Sequence, residues 1–409
     1  MEIVSNKQIN IKKYINLMLI GYAFCLPISI AGISFFESLI LILWLVEGRW
    51  KDKINAYKDN KVIISLSAFF LFNFISLFWA QDILNGLSYI WKYRHFLIIF
   101  VIYTSLDREY LNRIISSFLI SMFLTEIMSY GIFFELWQYK DILPSNPSPF
   151  MDHISYSFYL AITASIVLSR ILIKGDFKVK FIYLLFFITV TMNLFINGGR
   201  TGQIVFIVAV CILFLFHLKN KYKAILYSSL LIVGVLSSSY IFSSNFTNRA
   251  NQLSSELVHM TDNNNFKGSF STRVSLWVIG GAKFLDNKYI GTGIGNEMDG
   301  IEKYTKAYGF DYKYLSTFTD YHNIFITYAV QLGIVGLILV ILIFYYSMFN
   351  GILNTRYRSL SVVFIVSYLL WSFTGMTFHN VNPMTLFALF VGLFNGIHYL
   401  EKINKEVLV

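Results

Sequence analysis

The chain reads as an all-α polytopic membrane protein of about twelve transmembrane helices, with a large, partly helical loop between the ninth and tenth. Three observations predict this. Of its 409 residues, 56% are hydrophobic and only 14% are charged, whereas a soluble protein carries roughly 25% charged residues. Runs such as 62–79 and 203–218 are nearly free of charge and approach the roughly 20 residues that cross a bilayer. Only 243–322 is both long and too polar for hydrocarbon. The aromatic share of 18%, with 40 Phe, suits lipid-facing and inter-helix packing, and Tyr and Trp cluster near helix ends as interfacial anchors do.

In order, the spans fall at roughly 14–30, 32–48, 62–79, 90–106, 112–134, 154–172, 180–196, 202–217, 223–242, 323–348, 359–378 and 382–400. The N-terminus is polar for about a dozen residues and has no small-residue cleavage site after its first apolar run. It reads as a retained first helix. Spans one and two meet at a tight turn near Pro27 and Gly32. The fourth span carries Lys92, Arg94 and His95 in its first turn. Pro144, Pro147 and Pro149 mark a loop that resists helix formation. Within the long loop, Ser271 or Thr272 is expected to cap a helix bearing Arg273, Trp277 and Phe284. The chain therefore divides into spans one to nine (1–242), the loop (243–322), and spans ten to twelve with a tail (323–409), all in one membrane domain.

The net charge is +10, but its basic residues are scattered among short connections, which favours membrane topology over nucleic acid as the cause. With the N-terminus cytoplasmic, twenty-one Lys and Arg fall in cytoplasmic segments and four, Lys92, Arg94, Lys140 and Arg200, in the short connections opposite. Both termini are then cytoplasmic, and the 243–322 loop lies outside the plasma membrane, in the periplasm if the cell is Gram-negative. Cys25 and Cys211 lie inside apolar runs, so neither a disulfide nor a metal spacing is indicated.

Three groups of residues could carry chemistry on that outer face. Asn197-Gly-Gly-Arg200-Thr-Gly202 opens the eighth span. A helix N-terminus beside a guanidinium is an anion site; a tight glycine turn with an arginine reaching for lipid phosphates is the alternative. Arg273 sits in the loop, where a surface ion pair is its simpler role. Gly291, Gly293 and Gly295 resemble a dinucleotide fingerprint only superficially, because no strand precedes them. His322 stands where the loop re-enters the membrane, within Asp320-Tyr-His322-Asn323. It can accept a proton near neutral pH, with Asp320 or Asn323 orienting its ring, or it can simply meet headgroups. Lys92 and Arg94 are further phosphate-contact candidates, with snorkelling as the alternative. With no ATP motif and no nucleotide-binding domain, chemistry on this face needs a substrate already activated, such as a lipid-linked pyrophosphate sugar.

These pieces resemble the O-antigen ligase family: Gly199-Arg200-Thr-Gly202, Arg273-Val-Ser-Leu-Trp277 with Leu285 through Gly295, and His322-Asn323 followed by Gly333 and Gly336. The family often has Pro before Ile-Gly-Thr-Gly, where this chain has Lys288-Tyr289. The resemblance implies metal-independent, inverting transfer of a glycan from undecaprenyl pyrophosphate to the lipid A–core, without a cofactor, on the periplasmic face of the inner membrane. Arg200 and Arg273 would bind pyrophosphate, His322 would activate the acceptor hydroxyl, and Lys92, Arg94 and Asn323 would assist substrate binding. An O-antigen polymerase, a protein O-oligosaccharyltransferase and a transporter of the same lipid-linked glycan remain as alternatives.

Overall fold

Apolar runs closed by polar capping residues become helices here, and no strand occurs among the described residues, 2–263 and 266–406 of the computed structural model. The first half comprises α1 (Glu2–Cys25), α2 (Ile30–Glu47), α3 (Trp50–Lys58), α4 (Lys61–Ser76), α5 (Ile83–Lys92), α6 (Leu97–Ser105), α7 (Arg108–Phe133), α8 (His153–Leu172) and α9 (Phe177–Ile196). Then come α10 (Arg200–His217), α11 (Lys221–Phe242), α12 (Ser244–Asn263), α13 (Ser269–Asp286), α14 (Glu302–Ala307) and α15 (Tyr312–Leu315). The chain closes with α16 (Ile324–Met348), α17 (Thr355–Ser372) and α18 (Val381–Glu406). Starts are fixed by side chains that accept otherwise unpaired N–H groups: Asn60 on α4, Asp152 on α8 and Asn354 on α17.

Among the described residues, nine helices are long and apolar enough to cross a membrane: α2, α4 with its 3₁₀ extension, α7 to α11, α16 and α18. Twelve spans were expected. The first and eleventh are single helices, α1 and α17, but Lys12 and Lys13, or Arg356 and Arg358 with four serines, dilute their apolar character. The fourth expected span is not one α-helix. It splits into α5, a 3₁₀ turn at Tyr93–Phe96, and the nine-residue α6. At that turn His95 is fully buried with Nδ1 2.5 Å from Glu37 Oε2 of α2, and Arg94 Nε lies 3.7 Å from Glu37 Oε1. Polar side chains with a partner inside the bundle replace the apolar run that a simple span requires.

Helices α8 and α18 form the centre, each with 83% of its apolar window buried, while α11 is peripheral at 11%. Phe96, Phe344, Tyr368, Phe378 and Phe387 fill the interior with edge-on and stacked ring contacts.

The described part of 243–322 packs against the bundle through a small apolar core of Leu276, Ile279, Ile301, Leu315 and Tyr321 together with Val330 of α16. The segment is keyed into a break in α16. Gly333 has φ 65° and ψ −158°, a backbone region that essentially only glycine adopts. The freed backbone groups pair across: Thr292 N–H donates to Val330 O (2.9 Å), Gly293 N–H to Gln331 O (2.9 Å) and Ile334 N–H to Lys288 O (2.8 Å). Contact is so close that a Cβ on Gly291 would stand 2.3 Å from Gln331 O. The Gly-Thr-Gly-Ile-Gly stretch is thus a docking edge for α16. The α13 cap also differs from expectation: the N-cap is Gly268, whose N–H donates to Ser271 Oγ (2.8 Å), so Ser271 lies inside the first turn.

Candidate active site

Arg200 is the first residue of α10, with Gly199 as N-cap and no capping side chain. Such a helix start concentrates positive potential. The loop before it is anchored from beneath: Asn197 Nδ2 donates to Ser148 Oγ (2.6 Å), Gly199 N–H to Asn197 Oδ1 (3.0 Å), and Gly198 N–H to Asn146 Oδ1 (3.4 Å). Asn146 and Ser148 belong to the proline-rich run, which therefore buttresses the arginine loop. A Cβ on Gly202 would sit 2.2 Å from Ser157 O, so α10 approaches α8 more closely than any other residue permits. Arg200 Nη2 donates to Gln252 Oε1 of α12 (3.4 Å).

Arg273 lies in the second turn of α13, its Nη1 donating to Ser269 O (3.1 Å) and Oγ (3.2 Å). Its Nε is buried without a hydrogen-bond partner. Burial first, then the Arg200 charge, lower its affinity for a proton, and Glu256 opposes them. Glu256 is itself held by the Phe270 N–H (2.8 Å) at the start of α13. The two guanidiniums are therefore within electrostatic reach of each other.

His322 has φ 49°, an uncommon left-handed conformation for a non-glycine residue. Asp320 fixes it: Oδ1 accepts the His322 N–H at 2.6 Å and lies 3.3 Å from ring Nδ1. Phe318 meets the imidazole edge-on at 5.7 Å between ring centres. Burial pushes the imidazole pKa below 6.5, Asp320 pulls it back up, and the Arg273 charge pushes it down again. Arg200, Arg273 and His322 thus form a series in which each acts electrostatically on the next.

Asn323, Lys92 and Arg94 have other partners. Asn323 caps α16, its Oδ1 accepting from Phe325 N–H (3.0 Å) and Ile326 N–H (3.2 Å). Its side-chain oxygen thus serves the helix start, and the orienting group for His322 is Asp320. Lys92 Nζ donates to His379 Nε2 at 2.6 Å, which with burial pushes that imidazole down to about 4, burial being the larger cause. Arg94 packs over Trp91 and lines an apolar groove of about 700 Å³ with Phe70, Phe74 and Leu97.

Sequence reasoning missed Glu297, which is 1% exposed. Its carboxylate accepts from Tyr89 Oη of α5 (2.5 Å) and Gln331 Nε2 of α16 (2.6 Å). Burial raises its pKa most, the two hydrogen bonds lower it, and the Asp320 charge raises it. Its backbone carbonyl accepts from Tyr321 Oη (2.5 Å) and Lys283 Nζ (2.9 Å). The same buried ammonium donates to the carbonyls of Asn296 (3.0 Å) and Asp299, and burial lowers its pKa to about 8. This network joins α5, the long loop and α16 beside Asp320. Its signals were a carboxylate two residues after Gly295 and a glutamine within an apolar helix.

Fold and site together define a helical membrane protein that sets Arg200, at the start of α10, within electrostatic reach of Arg273 and, through it, His322 of the covering segment. Residues 184–341 match the family model described as O-antigen ligase. Over that stretch the chain is similar to the O-antigen ligase family, whose members are glycosyltransferase-like enzymes of lipopolysaccharide biosynthesis. The match spans Arg200, Arg273 and His322, and leaves Lys92 and Arg94 outside. No curated protein matches the chain.

Proposed function

We propose that the protein is an O-antigen ligase, moving a glycan from undecaprenyl pyrophosphate to lipid A–core on the periplasmic face of the inner membrane, with both termini cytoplasmic. The observation that carries this reading is the electrostatic series Arg200–Arg273–His322, with His322 held by Asp320. In the reaction, the acceptor hydroxyl attacks the anomeric carbon from the face opposite the pyrophosphate. The carbon–oxygen bond to the pyrophosphate breaks as the new glycosidic bond forms, with inversion. His322 Nε2 takes the hydroxyl proton, since Asp320 beside Nδ1 favours the tautomer that leaves Nε2 free. Arg200, Arg273 and the N-terminus of α10 take up the negative charge that grows on the departing undecaprenyl pyrophosphate. A half-buried guanidinium whose Nε has no hydrogen-bond partner suits the binding of an anion. Lys92 and Arg94 are proposed on the donor's approach, with membrane lipid around the apolar groove beside Arg94. The division into 1–242, 243–322 and 323–409 follows the same reading, and no metal takes part.

The test is a deletion strain complemented with wild type or His322→Ala, read as a surface glycolipid gel. Bare lipid A–core in the deletion, with polymer retained on the lipid carrier, supports the ligase. Lipid A–core carrying a single repeat would show a polymerase instead, and an unchanged ladder would overturn both. Purified protein turning over labelled donor in the presence of EDTA checks metal independence.

A further inference from the structure

The bundle has a second basic region, at the end opposite the candidate active site. Helix α10 runs from Arg200 to His217, and at 1.5 Å per residue its ends lie about 27 Å apart. His217 lines a cavity of about 660 Å³ with Arg108 and Arg356, and a neighbouring cavity of about 360 Å³ contains Arg170, Lys174 and Lys180. Asn112, Ile173 and Arg356 line both. The ends of α7, α8, α9, α10 and α17, with Lys174 in the connection between α8 and α9, bring these basic side chains to one place.

Two of the guanidiniums are set rather than waving in solvent. Arg170 Nη1 donates to Tyr183 Oη (2.5 Å) and Nη2 to Ser116 Oγ (3.3 Å), with the guanidinium also over the Tyr183 ring. Arg356 lies over Tyr357 and within electrostatic reach of Arg170. The Nε atoms of both are buried without a hydrogen-bond partner. Like charges brought together and partly desolvated are costly without an anion between them. The acids in the lining are already engaged: Glu401 accepts the N–H groups of Leu353 (2.7 Å) and Asn354 (3.2 Å), and Asp176 accepts from Lys178 N–H (3.1 Å).

We propose that this paired cavity binds the phosphate headgroup of an anionic phospholipid in the leaflet opposite the active site. Arg170 and Arg356 hold the phosphate, and Lys174, Lys180 and Arg108 surround it. A lipid is favoured over free phosphate because apolar side chains (Leu111, Ile173, Ile397 and Leu400) adjoin the cations, giving acyl chains a wall. Basic pockets between membrane helices recognise anionic headgroups in this way.

The experiment uses the full chain purified in mild detergent. Native mass spectrometry with added phosphatidylglycerol should show a retained lipid adduct, with phosphatidylcholine giving at least ten-fold less. Arg170→Ala with Arg356→Ala should lose that preference, whereas the charge-matched pair Lys51→Ala with Lys58→Ala, both exposed on α3, should keep it. Equal phosphatidylglycerol retention in the two double variants overturns the site. A measurement on wild type covers the case in which the arginine variant fails to fold. Phosphatidylglycerol should raise the melting temperature while phosphatidylcholine and inorganic phosphate do not. An equal rise with inorganic phosphate would make this a free-anion site, and an equal rise with both lipids would refute headgroup recognition.

Discussion

Gly333→Ala tests whether the break in α16 holds the 243–322 segment over the site. An alanine at φ 65°, ψ −158° takes a backbone conformation that costs about 1–3 kcal/mol. Its Cβ would also stand 2.3 Å from Tyr289 O. Relieving that clash means withdrawing 288–293, which forfeits the bonds to Val330, Gln331 and Ile334, each contributing about 0.5–1.5 kcal/mol. The combined loss is about 2.5–7.5 kcal/mol, large enough to detach the segment without unfolding the bundle. The assay is thermal unfolding of purified protein followed by tryptophan fluorescence, alongside glycan transfer from lipid-linked donor. Gly281→Ala is the control: a Cβ there meets nothing within 4 Å, and helix propensity predicts a gain of up to about 1 kcal/mol. A Gly333→Ala protein that melts and turns over like wild type would refute the reasoning.

The remaining predictions concern the site. Only neutral His322 can act as base, and its pKa lies below 6.5, so transfer should be nearly full at neutral pH and fall only as pH drops below 6.5. Asp320→Asn removes the group that raises that pKa, so the acid limb of kcat/KM should move to lower pH while the maximum rate drops; a limb moving upward would contradict the pairing. Arg273→Ala and Arg200→Ala should each lower kcat by roughly 10²–10³ with the protein still in the membrane, and normal activity in Arg273→Ala would remove it from the reaction. Tyr89→Phe leaves buried Glu297 one donor short and should cost about 1–3 kcal/mol of stability, checked by the melting midpoint.

The long apolar helices were legible because hydrocarbon imposes one requirement, length without charge, that composition displays directly. Where that requirement is relaxed inside the bundle, the sequence misled. Glu37 and His95 are separated by 58 residues, and neither signals its partner, so the 3₁₀ turn that splits the fourth expected span could not be foreseen. Arg200, Arg273 and His322 were visible as basic side chains near helix ends. Their mutual influence was not, because it depends on how α10, α13 and the start of α16 converge. The capping role of Asn323 is legible in the sequence, since an asparagine just before an apolar run is a strong N-cap signal. Glu297 was hidden because its role is defined by Tyr89 and Gln331, from elements on either side of it in the chain.

The interlock at Gly333 also limits how this protein can be re-engineered. Residues 288–293 complete the backbone pairing of a membrane helix, so the covering segment is a structural member of the bundle. A chimera that exchanges 243–322 alone, in order to change the acceptor, would pair a foreign edge with the native carbonyls of Val330 and Gln331. The transferable unit is the segment together with α16 through Gly336. Exchanges cut at the boundary between polar loop and apolar helix would sever a joint.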